Sequence, residues 1–186
     1  MTRKRTSMLA LAGLLAGASS LSGQNPSNAP TVTLNAAKAE VLTVTINSGS
    51  TVDFDLDAGT VASGDVSVNI TLDWAVQGNR SNVELWGAFA SVNALADGNG
   101  YFIPSSAVEG RVTTGSPVAF TAFTATSSNS FLGAAGAALM LVSEDPSGAN
   151  RTGSRTDVLE LQIDQTGLDL PAGTFSGTLT LQATAF

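Results

Sequence analysis

Strict alternation over twelve residues constrains this chain more than any other feature. From Asp65 to Val76, residues Val66, Val68, Ile70, Leu72, Trp74 and Val76 share one parity, while Ser67, Asn69, Thr71 and Asp73 share the other. Successive side chains of a strand point to opposite faces, so this spelling predicts a half-buried strand with one wet face and with Trp74 in the core.

The same period of two recurs along the chain. Thr31–Leu34 and Val41–Ile46 read as short strands rich in β-branched residues. Thr51–Asp57 places Val52, Phe54 and Leu56 on one face and Asp53, Asp55 and Asp57 on the other, again as a half-buried strand. Ser81–Val92 predicts a strand with Val83, Leu85 and Phe89 inward and Trp86 on the outer side with Glu84, Ala88 and Ala90. Val118–Ala125 puts Val118, Phe120 and Ala122 on one face and Phe123 on the other. The last two segments read as a hairpin: Asp157–Asp164, with Leu159, Leu161 and Ile163 inside, and Thr174–Phe186, with Phe175, Leu179 and Leu181 inside. Turn clusters such as Gln77–Arg80 and Asp97–Gly100 separate these runs. Phe131–Val142 is apolar and small-residue-rich, and reads as a turn leading into a strand over Ala138–Ser143; a core helix is the competing reading at this length. With no amphipathic helix pattern, the whole points to an all-β antiparallel sandwich of about eight to ten strands.

The N-terminus has the layout of an export signal. Arg3, Lys4 and Arg5 precede the apolar run Met8–Ala16, and Ala16-Gly-Ala18 supplies a small-x-small cleavage pattern. Residues 1–18 are therefore expected to be a removable leader, with Ser20 or Ser22 as later cut points, residues 19–30 a flexible lead-in, and residues 31–186 a single sandwich domain. The expected location is the periplasm, the cell surface or the medium, with no membrane insertion once the leader is cut.

Composition then removes most chemistry. The 186 residues include no Cys and no His, which excludes disulfides, thiol nucleophiles, imidazole bases, zinc ribbons and Ser-His-Asp triads. Beyond the leader five Lys and Arg stand against fifteen Asp and Glu, a net of about −10. Scattered cations in so acidic a chain cannot neutralise a phosphate backbone, so nucleic acid is not an expected partner.

A few residues remain as candidates. Asp53, Asp55 and Asp57 have the spacing of the first three calcium ligands of an EF-hand loop, but Ala58 and Gly64 stand where that loop needs Gly and an acid. A solvated acidic strand face that discourages edge pairing is the simpler reading. Trp86, on the outer face beside Glu84 and Asn82, could stack on a sugar ring while the polar neighbours bond its hydroxyls, which makes these three a candidate glycan site. Lys38 has no nucleophile motif around it, and Asn150–Arg155 places two cations in a loop where an anion site is conceivable. No residue set points to a cofactor, a metal or an enzyme activity.

The closing stretch Pro171-Ala-Gly-Thr-Phe-Ser-Gly-Thr-Leu-Thr-Leu-Gln-Ala-Thr-Ala-Phe186 resembles the last strand of bacterial secreted immunoglobulin-like proteins of the fimbrial-subunit and surface-adhesion type. Gly173 is fourteenth from the end, and Leu179, Leu181 and Ala183 alternate after it. The resemblance covers about sixteen residues. It departs in having Ala185 where pilins carry a penultimate aromatic, and in lacking a disulfide. It implies an immunoglobulin-like sandwich and a non-catalytic surface or structural module. Assembly would run through the strand bearing Gly173, Leu179, Leu181 and Ala183. Val32 and Leu34 are the alternating apolar residues from which a donor strand would have to come. Carbohydrate binding through Trp86 is the alternative function.

Overall fold

The computed structural model describes residues 32–129 and 131–186. The leader (1–18), the whole lead-in (19–30) and Thr31 lie outside them. Residues 32–40 form no strand, and Val32 and Leu34 are exposed, so the strand expected at Thr31–Leu34 is absent over its described part. The sandwich unit starts at Lys38.

Among the described residues eleven strands follow in chain order: β1 (Val41–Ser48), β2 (Val61–Ser63), β3 (Val68–Ala75), β4 (Val83–Phe89), β5 (Asn93–Ala96), β6 (Phe102–Pro104), β7 (Val108–Val112), β8 (Thr121–Ala122), β9 (Ala138–Glu144), β10 (Thr152–Asp164) and β11 (Leu179–Ala185). One sheet has the order β1-β3-β10-β7-β8, with β2 pairing the far end of β10; a second has the order β11-β4-β9; β5 and β6 form a separate hairpin. Every pairing is antiparallel. The fold is all-β, and the two main sheets enclose one core in a sandwich-like arrangement.

Alternation explains which residues fill that core. On β3, Val68, Ile70, Leu72 and Trp74 are buried and the residues between them are not. On β10, Leu159, Leu161 and Ile163 do the same. Val83, Leu85 and Phe89 of β4 complete the opposing wall, with Phe123 edge-on to Phe89 at 5.2 Å between ring centroids. Ala138–Glu144 is a strand, not a helix, and among the described residues no helix is long and apolar enough to cross a membrane.

Four expectations are corrected. Val66 is 44% exposed because regular pairing is interrupted between β2 and β3, so the alternation starts only at Val68. Thr51–Asp57 is not a strand: Phe54 makes one isolated bridge to Gly64, and Asp55 turns the chain by accepting from the Asp57 amide at 3.0 Å. Val118–Ala125 shrinks to the two residues of β8, with Val118 exposed and Phe123 carrying the burial. The terminal hairpin does not exist, because β10 and β11 belong to different sheets. Fourteen residues separate them, enough chain to cross from one layer to the other.

Candidate functional site

The two side edges of the sandwich differ. At one, the chain runs from β8 in the first sheet to a bridge between Ala125 and Ala138 of β9 in the second, with reciprocal amide bonds of 2.8 and 2.9 Å. That crossing closes the core over Phe123, which is fully buried. At the other edge stand β1 and β11, each paired on one side only. Leu42 and Val44 of β1, and Leu179, Leu181, Ala183 and Ala185 of β11, point to the core yet remain only partly buried. An unpaired strand edge beside an uncovered core is a template for a further strand.

Over part of that edge a groove of about 900 Å³ opens. Ile46 of β1 and Leu179 and Leu181 of β11 line its walls, Val68, Ile103 and Leu161 its core side, and the segments Gly49–Asp57 and Leu170–Thr178 its mouth. Of the four residues expected in an assembly strand, Gly173, Leu179 and Leu181 line the groove; Ala183 does not, although it lies on the same face of β11. Asp53, Asp55 and Asp57 also line it, a placement that alternation alone did not indicate. They give the mouth an acidic rim above the apolar side chains of Val52, Phe54 and Leu56. Among the described residues no group of three or more His, Cys, Asp or Glu side chains could hold a metal ion. The backbone explains why these aspartates do not converge: the Asp53 amide donates to Asp65 Oδ1 at 2.8 Å, and Asp55 is committed to its own turn.

The second candidate lies on the outer face of β4. Asn82, Glu84 and Trp86 do come together there. Trp86 Nε1 donates to Glu84 Oε2 at 2.7 Å, Ser128 Oγ to the same oxygen at 2.6 Å, and Asn82 Nδ2 to Glu84 Oε1 at 3.0 Å. The expected exposed indole is corrected: Trp86 is only 8% exposed, clustered with Ala88, Leu132 and Ala138 in a second small core. The chain at Ser127–Asn129 and Leu132–Gly133 covers it. Gly133 makes this cover possible, since a Cβ there would lie 2.5 Å from Ala88 Cβ. Every polar atom that would meet a sugar hydroxyl at Glu84 is already bonded within the protein, and the indole offers no open platform.

Comparison with known proteins finds no matching family model, no matching curated protein and no matching solved structure.

Proposed function

We propose that this chain is an exported, non-catalytic structural module of the cell surface, an immunoglobulin-like sandwich in the wider sense, which assembles by taking an extended segment of a second copy into the groove between β1 and β11. The observation that carries this reading is the groove itself. It sets apolar side chains of both sheets beneath a polar, acidic mouth and reaches the unpaired edge of β11, where main-chain hydrogen bonds and alternate side-chain pockets would together hold a strand.

The segment that suits it is the one around Val32 and Leu34. These residues have the two-residue spacing of alternate pockets, precede the sandwich, and are 82% and 88% exposed. The absence of His and Cys from the sequence supports a structural rather than a catalytic role, and the basic-apolar-small leader supports export. The resemblance of the closing strand to fimbrial subunits points the same way.

Sedimentation of the full chain over a wide concentration range, with and without an added peptide of residues 24–37, tests the proposal. Self-association that the peptide competes away is the expected result. A monomer at every concentration that also fails to bind the peptide overturns it.

A further inference from the structure

Three of the five cations that follow the leader gather at the opposite end of β1 from the groove. A cleft of about 270 Å³ is lined there by Lys38, Glu40, Val76, Gln77, Arg151 and Thr152, among others. Arg80 stands beside it and is neutralised: its Nε and Nη2 donate to the two oxygens of Glu40 at 3.1 and 2.9 Å, and the Gln77 amide adds a bond of 2.9 Å to the same carboxylate. Elsewhere Arg111 pairs with Glu160, and Arg155 with Asp157 and Glu144.

Lys38 and Arg151 are different. Lys38 Nζ donates to the hydroxyl of Thr152 at 3.3 Å. Arg151 Nη1 donates to the backbone carbonyls of Gln77 and Arg80 at 3.0 and 2.6 Å. Neither has a carboxylate partner among the described residues, and all fifteen acids of the chain lie within those residues, from Glu40 to Asp169. The two cations left uncompensated in a strongly acidic domain therefore line one cleft. Arg151 is fixed there by its carbonyl bonds while its Nε and Nη2 make no bond to a described residue, and Lys38 has protons to spare. With Glu40 cancelled by Arg80, the cleft carries a net charge of +2.

We propose that this cleft binds a small oxyanion, a carboxylate or a sulfate group, between Lys38 and Arg151, with the Thr152 hydroxyl as a third donor. A guanidinium held in place presents its free N–H groups in the fork that oxyanions accept, and the Lys38 ammonium adds a point charge. At about 270 Å³ the cleft falls just below the ~300–1,000 Å³ of sites for drug-sized ligands, so it takes one charged group rather than a length of polymer. The binding is solvent-accessible and weakens with salt.

The test is amide NMR of the ¹⁵N-labelled full chain, titrated with sodium sulfate and separately with sodium acetate, against sodium chloride of matched ionic strength. Saturable shifts at Ala39, Val76, Gln77 and Thr152 are expected, with affinity on the order of millimolar. They should weaken at least tenfold in Lys38→Ala, an exposed side chain whose loss leaves the core untouched. Saturation by one anion and not the other upholds the site and fixes its class. Shifts that chloride reproduces, that saturate elsewhere, or that survive Lys38→Ala unchanged overturn it.

Discussion

The indole of Trp74 occupies the space that a side chain at Gly153 would need: a Cβ built on Gly153 would lie 2.2 Å from Cζ2 of the ring and 2.6 Å from Cε2. The two residues are partners in the β3–β10 ladder, and the ring is locked by its Nε1, which donates to the Asn150 carbonyl at 2.8 Å. Gly153→Ala should therefore force the ring off its seat and cost about 1–3 kcal/mol of stability. Urea unfolding followed by tryptophan fluorescence measures this. A stability equal to that of the parent chain would show that the ring does not depend on the missing Cβ.

Arg155 and Asp157 make the second prediction. Asp157 is 2% exposed and receives two bonds of 2.6 Å from Arg155 and one of 2.8 Å from Thr114 Oγ1. Arg155 also reaches Glu144 at the end of β9, so one guanidinium ties the two sheets together. Removing it strands a buried carboxylate, and Arg155→Ala should cost about 3–5 kcal/mol. The Arg111–Glu160 pair, with side chains 40% and 32% exposed, should contribute about 0–1 kcal/mol. The two alanine variants compared in one denaturation series test the ranking; equal losses would refute it.

Much of this was readable in the alternation, and the failures have physical causes. Trp74 and Leu159 could be assigned to the core because each lies on a strand with one wet face. Trp86 could not, because β4 is buried on both faces, and its outer cover comes from residues some forty positions away. The parity of Thr51–Asp57 correctly put Val52, Phe54 and Leu56 on the core side, yet the segment is no strand, since apolar alternation also fits a coil laid along a groove. The cations of Asn150–Arg155 were legible as a conceivable anion site, but neither the groove nor the meeting of Lys38 with Arg151 was, because each depends on chain distant in sequence meeting at a sheet edge.

The covered indole gives a third prediction. With both tryptophans buried, acrylamide should quench their fluorescence only weakly, and Trp86→Ala should destabilise the fold by about 3–5 kcal/mol. Strong quenching that is lost in Trp86→Phe would instead restore Trp86 as an open face.

Glu40 supplies a pH dependence. Its side-chain bond from Arg80, with the Gln77 amide second, lowers its carboxyl from the usual 4.5 to about 2. A depressed carboxylate stabilises the fold fully above its unfolded value, and that contribution fades as pH falls from about 4.5 through about 2. Carboxyl ¹³C NMR of Glu40 should show a midpoint near the lower figure. In Arg80→Gln it should return toward the ordinary range; a midpoint unmoved by that change would contradict the assignment to Arg80.

In the proposed assembly the groove beside β11 receives the segment bearing Leu34 from another copy. A chain without cysteine allows a direct test by mixing a Leu34→Cys variant with a Thr178→Cys variant under mild oxidation, Thr178 being an exposed residue of the groove. A mixed disulfide dimer is expected with Thr178→Cys and none with a Ser154→Cys control on the outer face of β10. Equal cross-linking at both positions, or none at either, would contradict it.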